Sequence, residues 1–215
     1  MAPEDIRFAA RLHRHELPHG LFPRLGTRFL RGYYRAFVES PHAVAFVTPA
    51  DGPAAGYLVG TTDHHAHHRW MLRRHGLRLG LLGALGLATN PDALWLFLRT
   101  RVGRYARALL RAAWPASPGG STSEETSPTR GPVAVLMHVA VDPSARGTGF
   151  GRQLTQAFSG HAHAAGCRDI RLVTRAGDGA GAFYETLGWQ RVDERGRDGS
   201  VVAEYRFPSP ETSPT

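Results

Sequence analysis

The sequence predicts an α/β fold, and three observations in its second half support that prediction. A near-continuous apolar run, VAVLMHVAV (133–141), is typical of a strand covered on both faces. A helical pattern follows at 151–166, and DIRLVT (169–174) then indicates a second strand. A further helical pattern at 180–188 and a strand-like run at 201–207 complete the alternation. This order of strands and helices indicates helices packed on a sheet.

The first half of the chain contains two helical patterns and two strand patterns. Apolar residues at helical spacing predict one helix over 3–17 and another over about 21–39. The runs AVAFV (43–47) and AGYLVGTT (55–62) are rich in β-branched and aromatic residues, which predicts two strands. The turn-rich sequence TPADGP separates them and favours a hairpin.

Positive charge is concentrated in residues 64–114. The chain has a formal net charge of +8, and all 26 of its basic residues are arginines. Nine of these arginines and only one acid, Asp92, lie in 64–114, so this region accounts for the whole excess. Residues 92–114 have the pattern of a basic amphipathic helix, and 76–90 form an apolar piece that contains glycines. We expect 64–114 to be a basic helical region.

The stretch DHHAHH (63–68) raises the question of a metal site. His64 and His68 are four residues apart and could share one face of a helix, as metal ligands often do. The HExxH pattern of zinc proteases is absent, however. We interpret the stretch as solvated histidines at a junction between a strand and a helix, and we predict no metal.

Three further features concern flexible segments and cellular location. Residues 115–132 and 208–215 contain little that could be buried, so we expect a flexible linker and a disordered tail. No apolar stretch approaches the ~20 residues that a membrane-spanning helix needs, and no secretory signal is visible. Cys167 is the only cysteine, which excludes an internal disulfide and favours a reducing compartment. The cytoplasm is therefore the expected location.

A glycine-rich turn, RGTGFG (146–151), joins the apolar strand to the helix after it. Backbone N–H groups at the start of a helix attract anions, and glycine lets a phosphate approach the main chain closely. A P-loop would require a lysine, which the sequence lacks, and a dinucleotide fingerprint requires a different glycine spacing. The turn predicts a phosphate cradle, with a purely structural glycine turn as the alternative.

The pattern Arg-x-x-Gly-x-Gly in this turn resembles the acetyl-CoA signature of the GNAT-type N-acyltransferases. AGAFYETLGWQRVDE (180–194) is similar to the second motif of that family. The resemblance covers about 133–207 and implies the GNAT fold, a central mixed β-sheet flanked by helices. It also implies that 64–114 is an insertion between strands three and four, within a single domain over 1–215.

The resemblance further implies which residues bind acetyl-CoA. The main chain of the turn would hold the pyrophosphate, and the end of the preceding strand would pair with the pantetheine arm where the family's strands splay. Gly177 departs from the family, which commonly has asparagine there. The implied cofactor-binding residues are Val139, Ala140, Val141, Arg146, Gly147, Thr148, Gly149, Phe150, Gly151, Arg152, Gly177, Ala180 and Tyr184.

Tyr184 stands at the position where the family has a catalytic tyrosine. Its phenol, with an ordinary pKa near ~10, can donate a proton to a departing thiolate. The alternative is an aromatic side chain that only packs on the buried stripe of a helix.

An attacking amine must lose a proton, so a base or a chain of water molecules is needed. His138 and Glu16 are our candidates, and His19 and Asp63 are two more. Strand alternation places His138 on the same face as Leu136, and a buried structural histidine is an equally good interpretation.

The predicted function is transfer of an acetyl group from acetyl-CoA to a primary amine by direct attack, without a metal. We expect a small-molecule acceptor rather than a protein, and neither a membrane span nor nucleic acid as a partner. Two alternatives stay open: a catalytically weak acyl-CoA-binding sensor, suggested by Gly177, and a nucleic-acid-binding protein acting through 64–114. A homodimer also stays open.

Overall fold

Six strands form one mixed sheet in the computed structural model, which describes residues 1–48, 53–98, 132–177, 179–197 and 200–208. The strands are β1 (Ala43–Thr48), β2 (Gly56–Thr61), β3 (Val133–Val141), β4 (Asp169–Arg175), β5 (Gln190–Arg197) and β6 (Ser200–Phe207). Their order across the sheet is β1-β2-β3-β4-β6-β5. The β3–β4 pair is parallel, and the other neighbouring pairs are antiparallel.

Helices pack on both faces of this sheet. They are α1 (Ile6–Glu16), α2 (Thr27–Glu39), α3 (His64–Thr89), α4 (Pro91–Phe97), α5 (Phe150–Ala164) and α6 (Ala180–Thr186). Side chains of α1 and α2 form one core with Tyr57 and Val59 of β2, whereas α5 and α6 form a second core with Leu58. Because successive strand residues point to opposite faces, these three residues place the two cores on opposite sides of the sheet. The structure confirms the predicted α/β fold.

Aromatic and aliphatic side chains fill both cores. Tyr34 and Phe37 of α2 are buried in the first core, and Leu154 and Phe158 of α5 are buried in the second. Burying a side chain of this size contributes about 1.5–3 kcal/mol. The two cores therefore hold β3, the strand between them, from both sides.

The second predicted helix is shorter than expected at its start. Residues Phe22–Leu25 form a 3₁₀ turn, and α2 begins only after Gly26. Gly26 has φ 88°, a left-handed value that breaks the helical path and that glycine adopts without strain.

One long helix, α3, replaces the separate pieces expected within 63–90. The Asp63 carboxylate accepts a hydrogen bond from Ala66 N at 2.9 Å, which caps its first turn. Gly86 contacts the backbone of Leu25, so α3 packs closely on the 3₁₀ turn. In the described part of the chain, β1 and β2 precede α3, and β3 is the next strand after α4.

Parts of the expected insertion, linker and tail lie outside the described residues. The helix α4 covers the start of the predicted basic helix over 92–114, and 99–131 and 209–215 are not described. Among the helices that are described, none is long and apolar enough to cross a membrane.

Strand β5 was not predicted from the sequence. Its residues, QRVDERGR, are mostly exposed and polar, because β5 lies at the edge of the sheet. Edge strands of this kind lack the apolar alternation by which strands are recognised. Ion pairs help to hold β5, including one between Arg195 and Glu204 of β6.

Candidate active site

The parallel strands β3 and β4 separate halfway along their length. Their pairing runs from Val133 opposite Asp169 to Leu136 opposite Leu172 and then ends. On its other edge, β3 stays paired with β2 as far as Val141. The splay leaves the β4-facing edge of 139–141 beside a cleft, as the family resemblance implies.

A bulge in β3 changes the direction in which its side chains point. Val59 of β2 lies opposite His138, and the next residue, Gly60, lies opposite Leu136. Met137 is therefore an extra residue in β3, and an extra residue reverses the alternation beyond it. Leu136 packs in the core of α5 and α6, while Met137 packs in the core of α1 and α2. His138 points toward α2 as well, so the expectation that it shares a face with Leu136 is wrong.

Two clefts open at the splay. The first, which we call the glycine cleft, has a volume of about 820 Å³. It is lined by Glu16, Leu17, Val139, Ala140, Val141, Ala145, Arg146, Gly147, Gly149, Phe150, Gly151, Arg152, Gly179, Ala180, Phe183 and Tyr184. The second, the histidine cleft, has a volume of about 600 Å³. It is lined by His13, Glu16, Leu17, His19, Gly20, Leu136, Met137, His138, Val139, Leu172, Val173, Thr174, Arg175, Ala180, Tyr184 and Val202.

The two clefts meet along a shared wall. Five residues line both: Glu16, Leu17, Val139, Ala180 and Tyr184. A ligand in one cleft would therefore reach a ligand in the other at this wall.

The glycine cleft is shaped by the turn before α5. Gly147 has φ 80° and Gly149 has φ 89°, and no atom lies within 4 Å of where a Cβ would stand on either residue. Gly149 is the N-cap of α5 and offers no side chain to the N–H groups of the first turn. Those N–H groups have no acceptor within the helix. The turn thus presents open backbone donors beside Arg146 and Arg152.

Eleven of the thirteen implied cofactor-binding residues line the glycine cleft, and Thr148 and Gly177 do not. The Thr148 hydroxyl donates a hydrogen bond to the Ala145 carbonyl at 2.6 Å. Gly177 lies in the turn after β4, with φ 89°. Gly179, which was not predicted from the sequence, is the N-cap of α6 and lines the glycine cleft.

Tyr184 lies on α6 at the shared wall. Its side chain is largely buried, with 6% of its surface exposed. Its ring packs edge-on against Phe183 and Trp189 and lies 6.1 Å from the ring of Tyr205. These contacts hold Tyr184 in a position where it lines both clefts.

His13 and the partly buried His138 form the floor of the histidine cleft, and the buried side chains of Tyr33, Tyr34 and Tyr57 lie behind them. His138 Nε2 lies 3.1 Å from the Tyr33 hydroxyl, and the ring centres of His138 and His13 are 4.8 Å apart. His13 Nδ1 lies 2.5 Å from the Tyr34 hydroxyl, which in turn lies 2.7 Å from the hydroxyl of Tyr57. The network ties α1 and α2 to β2 and β3.

Burial keeps both of these histidines neutral. It lowers the pKa of His138 to about 3, with a further contribution from the nearby His13, and it lowers the pKa of His13 to about 4. Burial also raises the pKa of Tyr34 well above its ordinary value, with Tyr57 adding to the effect. The floor of the cleft is therefore an uncharged hydrogen-bonding surface at neutral pH.

Glu16 ends α1 and connects it to the glycine turn. Its carboxylate pairs with the Arg146 guanidinium, and its Oε1 lies 2.7 Å from Nδ1 of His15. Only 12% of the Glu16 side chain is exposed. Of the other proposed bases, His19 lines the histidine cleft, and Asp63 caps α3 instead of lining either cleft.

Comparisons with known proteins agree with this geometry. Residues 121–191 match the profile of the acetyltransferase (GNAT) domain. Over this segment the chain is similar to a GNAT acetyltransferase domain. A mycothiol acetyltransferase from Thermobispora bispora is 42% identical over 62 residues, which cover 28% of this chain and 21% of that protein. The match therefore spans about a fifth of the relative's length.

Two solved structures share the fold of this chain. Ard1 from Thermoplasma volcanium has a TM-score of 0.53 at 17% identity, over 96% of this chain and 92% of that one. An aminoglycoside N-acetyltransferase in complex with CoA also has a TM-score of 0.53, at 15% identity over 92% and 89% of the two chains. At these identities the likeness establishes the fold.

The histidine stretch at 63–68 lies outside both clefts. His65 and His68 are exposed, as expected. His67 is buried instead, with Nδ1 2.9 Å from the Ser40 hydroxyl and its ring against Phe37. Burial lowers the pKa of His67 to about 4, and neighbouring histidines add to the shift. Within the described ranges, no group of three or more His, Cys, Asp or Glu side chains could hold a metal ion.

Sequence reasoning missed several residues on the cleft walls. Phe183 stands in the motif next to Tyr184 and lies against Gly151, where an added Cβ would be 3.2 Å from its ring. The motif itself could have indicated Phe183. Residues 173–175 of β4 line the histidine cleft only because of the splay, and no spacing in the sequence signals that.

Proposed function

We propose that this GNAT protein transfers an acetyl group from acetyl-CoA to a primary amine of a small molecule. The observation that carries the proposal is the meeting of two clefts at Tyr184 and Glu16, one with open backbone donors and the other lined by side chains. Such an arrangement suits a reaction between two ligands that approach from opposite sides.

The glycine cleft fits acetyl-CoA. The N–H groups at the start of α5 would bind the diphosphate, which the positive φ values of Gly147 and Gly149 leave unobstructed. Arg152 adds positive charge on the wall. The edge of 139–141 that is freed by the splay would pair with the amide groups of the pantetheine arm. When bound, the thioester supplies the activated acetyl group.

Glu16 is the better candidate for the base that takes the amine's proton. It lies on the wall shared by both clefts, where the amine nitrogen would meet the acetyl group. His138 lines the histidine cleft, but its Nε2 lies 3.1 Å from the Tyr33 hydroxyl and is therefore already engaged in a hydrogen bond. We assign to His138 the role of positioning, through its contact with Tyr33, and keep His19 as the second candidate base.

Tyr184 would complete the proton balance. As the amine nitrogen bonds to the acetyl carbon, the bond from carbon to sulfur breaks and leaves a thiolate. The Tyr184 hydroxyl donates its proton to that sulfur, and the amine's proton goes to Glu16 or to water. The Tyr184 phenolate then regains a proton from water, and Glu16 releases its proton to water, so both side chains return to their starting states. No metal takes part in this scheme.

The test is an assay of acetyl-CoA turnover against a panel of primary amines, with release of free thiol as the readout. The panel would include alkyl amines, amino sugars, an aminoglycoside and peptides with a free N-terminus. We expect turnover with at least one small-molecule amine. Tight binding of acetyl-CoA without turnover of any amine would instead favour the acyl-CoA-binding sensor.

Three further predictions accompany the proposal. A chain with one cysteine suits a reducing compartment such as the cytoplasm. We treat 1–215 as one GNAT domain, because one continuous sheet joins the first described strand to the last. The homodimer also stays a prediction.

A further inference from the structure

A third cleft lies among α1, α2 and α3, with a volume of about 570 Å³. We call it the arginine cleft, because five arginines line it: Arg7, Arg28, Arg31, Arg35 and Arg78. Glu4 is the acid on the same wall. The arginine cleft shares no residue with the glycine cleft or the histidine cleft.

Packing of the helices holds these arginines together. Arg28, Arg31 and Arg35 are three and four residues apart on α2, so they share one face of that helix. An added Cβ on Gly32 would lie 3.0 Å from a methyl group of Leu82, which shows how closely α3 approaches α2 there. Arg78, one turn before Leu82, is thereby placed beside the α2 arginines.

Most of this positive charge is not compensated by the protein. Arg35 lies 3.7 Å from Glu39, and both side chains are about half exposed. The other four arginines make no ion pair with any residue in the described part of the chain. By contrast, Arg171 on the sheet pairs with both Asp169 and Glu204. Clustered guanidinium groups without counter-charges repel one another, so an anion would stabilise the cleft.

We propose that the arginine cleft binds a small molecule that carries several phosphate groups. Guanidinium groups bind phosphate oxygens in pairs, and arginine keeps its charge at any working pH. The volume falls within the range of small-molecule sites. Arginines from three helices surround a concavity rather than following a stripe along the surface, which favours a compact polyphosphate over a nucleic-acid backbone.

The test uses the full chain and inorganic tripolyphosphate as the probe, in calorimetry with acetyl-CoA at saturation so that the glycine cleft is filled. We expect one tripolyphosphate per chain, bound more weakly as salt is raised. The double variant Arg28→Gln/Arg31→Gln should bind about 100-fold more weakly, since each lost charged contact costs about tenfold.

The matched control is Arg69→Gln/Arg73→Gln, which removes the same charge from exposed positions of α3 outside the cleft wall. It should stay within about threefold of the unaltered chain, because screening weakens distant charges. Equal losses in the two double variants would overturn the proposal, since binding would then follow net charge alone.

A second measurement does not depend on any variant. Modification of the unaltered chain by phenylglyoxal, followed by peptide mapping, should show Arg28 and Arg31 protected by tripolyphosphate and Arg69 unprotected. The proposal fails if tripolyphosphate protects no arginine of the cleft. It also fails if single-stranded RNA binds and tripolyphosphate does not compete with it, because the partner would then be a nucleic acid.

Discussion

The glycine cleft and the histidine cleft share a wall but are built from different parts of the protein. Most of the glycine cleft comes from one short stretch, 139–152, and this stretch acts largely through its main chain. The histidine cleft is assembled from side chains of α1, β3, β4, α6 and β6, together with the loop after α1. One cleft thus depends on local backbone shape, and the other depends on the packing of distant elements.

The difference shows how each cleft can be damaged. A cradle of backbone donors tolerates many side chains, but it fails when a glycine with positive φ is replaced. A cleft built from side chains does not depend on the conformation of one turn. It depends on buried hydrogen bonds and on the protonation states of the side chains that form them. Four predictions test this contrast.

The largest effect is expected for Gly149→Glu in the glycine cleft. The new carboxylate would stand where the diphosphate binds, and a side chain at φ 89° strains the turn. Repulsion of several kcal/mol should weaken acetyl-CoA binding by about 1000-fold, measured by calorimetry.

The matched control is Gly160→Glu, which adds the same charge to the same helix at an exposed position with open space around it. It should bind acetyl-CoA normally. Normal binding by Gly149→Glu as well would show that the turn is not the phosphate cradle.

Tyr184→Phe, at the shared wall, should separate binding from chemistry. Removing only the hydroxyl should leave acetyl-CoA affinity nearly unchanged and should lower kcat about 100-fold, the low end for a positioned proton donor. Tyr205→Phe is the control, because Tyr205 packs near Tyr184 and donates a hydrogen bond to Glu185 outside both clefts. If both variants turn over acetyl-CoA normally, Tyr184 only packs.

Glu16→Gln should have a smaller effect, on the acceptor side. We expect kcat/KM for the amine to fall about tenfold, less than the full contribution of a general base, because water in the open cleft can also take the proton. Glu194→Gln, an exposed carboxylate paired with Arg191 on β5, is the control. If Glu16→Gln has an unchanged rate and pH profile, the amine's proton is taken by His19 or by water and not by Glu16.

The fourth prediction concerns stability, not activity, and its dependence on pH in the floor of the histidine cleft. The folded-state pKa values of His13 and His138, about 4 and about 3, lie below the ordinary value of 6.5. Between pH 6.5 and 3 the unfolded chain therefore binds more protons than the folded chain. Stability from these histidines is full above pH 6.5 and is lost as the pH falls, by up to about 1.4 kcal/mol per pH unit for each histidine.

Urea unfolding at several pH values measures this loss. His138→Gln should lose less stability between pH 6.5 and 4 than the unaltered chain, because one of these proton-binding sites is gone. The exposed His65→Gln should behave like the unaltered chain. An unchanged slope in His138→Gln would mean that His138 is not held neutral in the fold.

The same contrast explains how far the sequence could predict the structure. The glycine turn, its strand and its helix were recognisable because their residues are contiguous and their spacing has a direct physical meaning. The direction of His138 was predicted wrongly, because the bulge at Met137 depends on how β2 pairs with β3. Nor could spacing along one strand show that β4 would leave β3 after Leu172.

A crystal structure with bound CoA tests the central claim most directly. The account predicts that the diphosphate accepts hydrogen bonds from the backbone N–H groups at the start of α5. It also predicts that the sulfur lies within hydrogen-bonding reach of the Tyr184 hydroxyl, at the wall shared by the two clefts. CoA bound outside the glycine cleft, or with its sulfur far from Tyr184, would contradict the account.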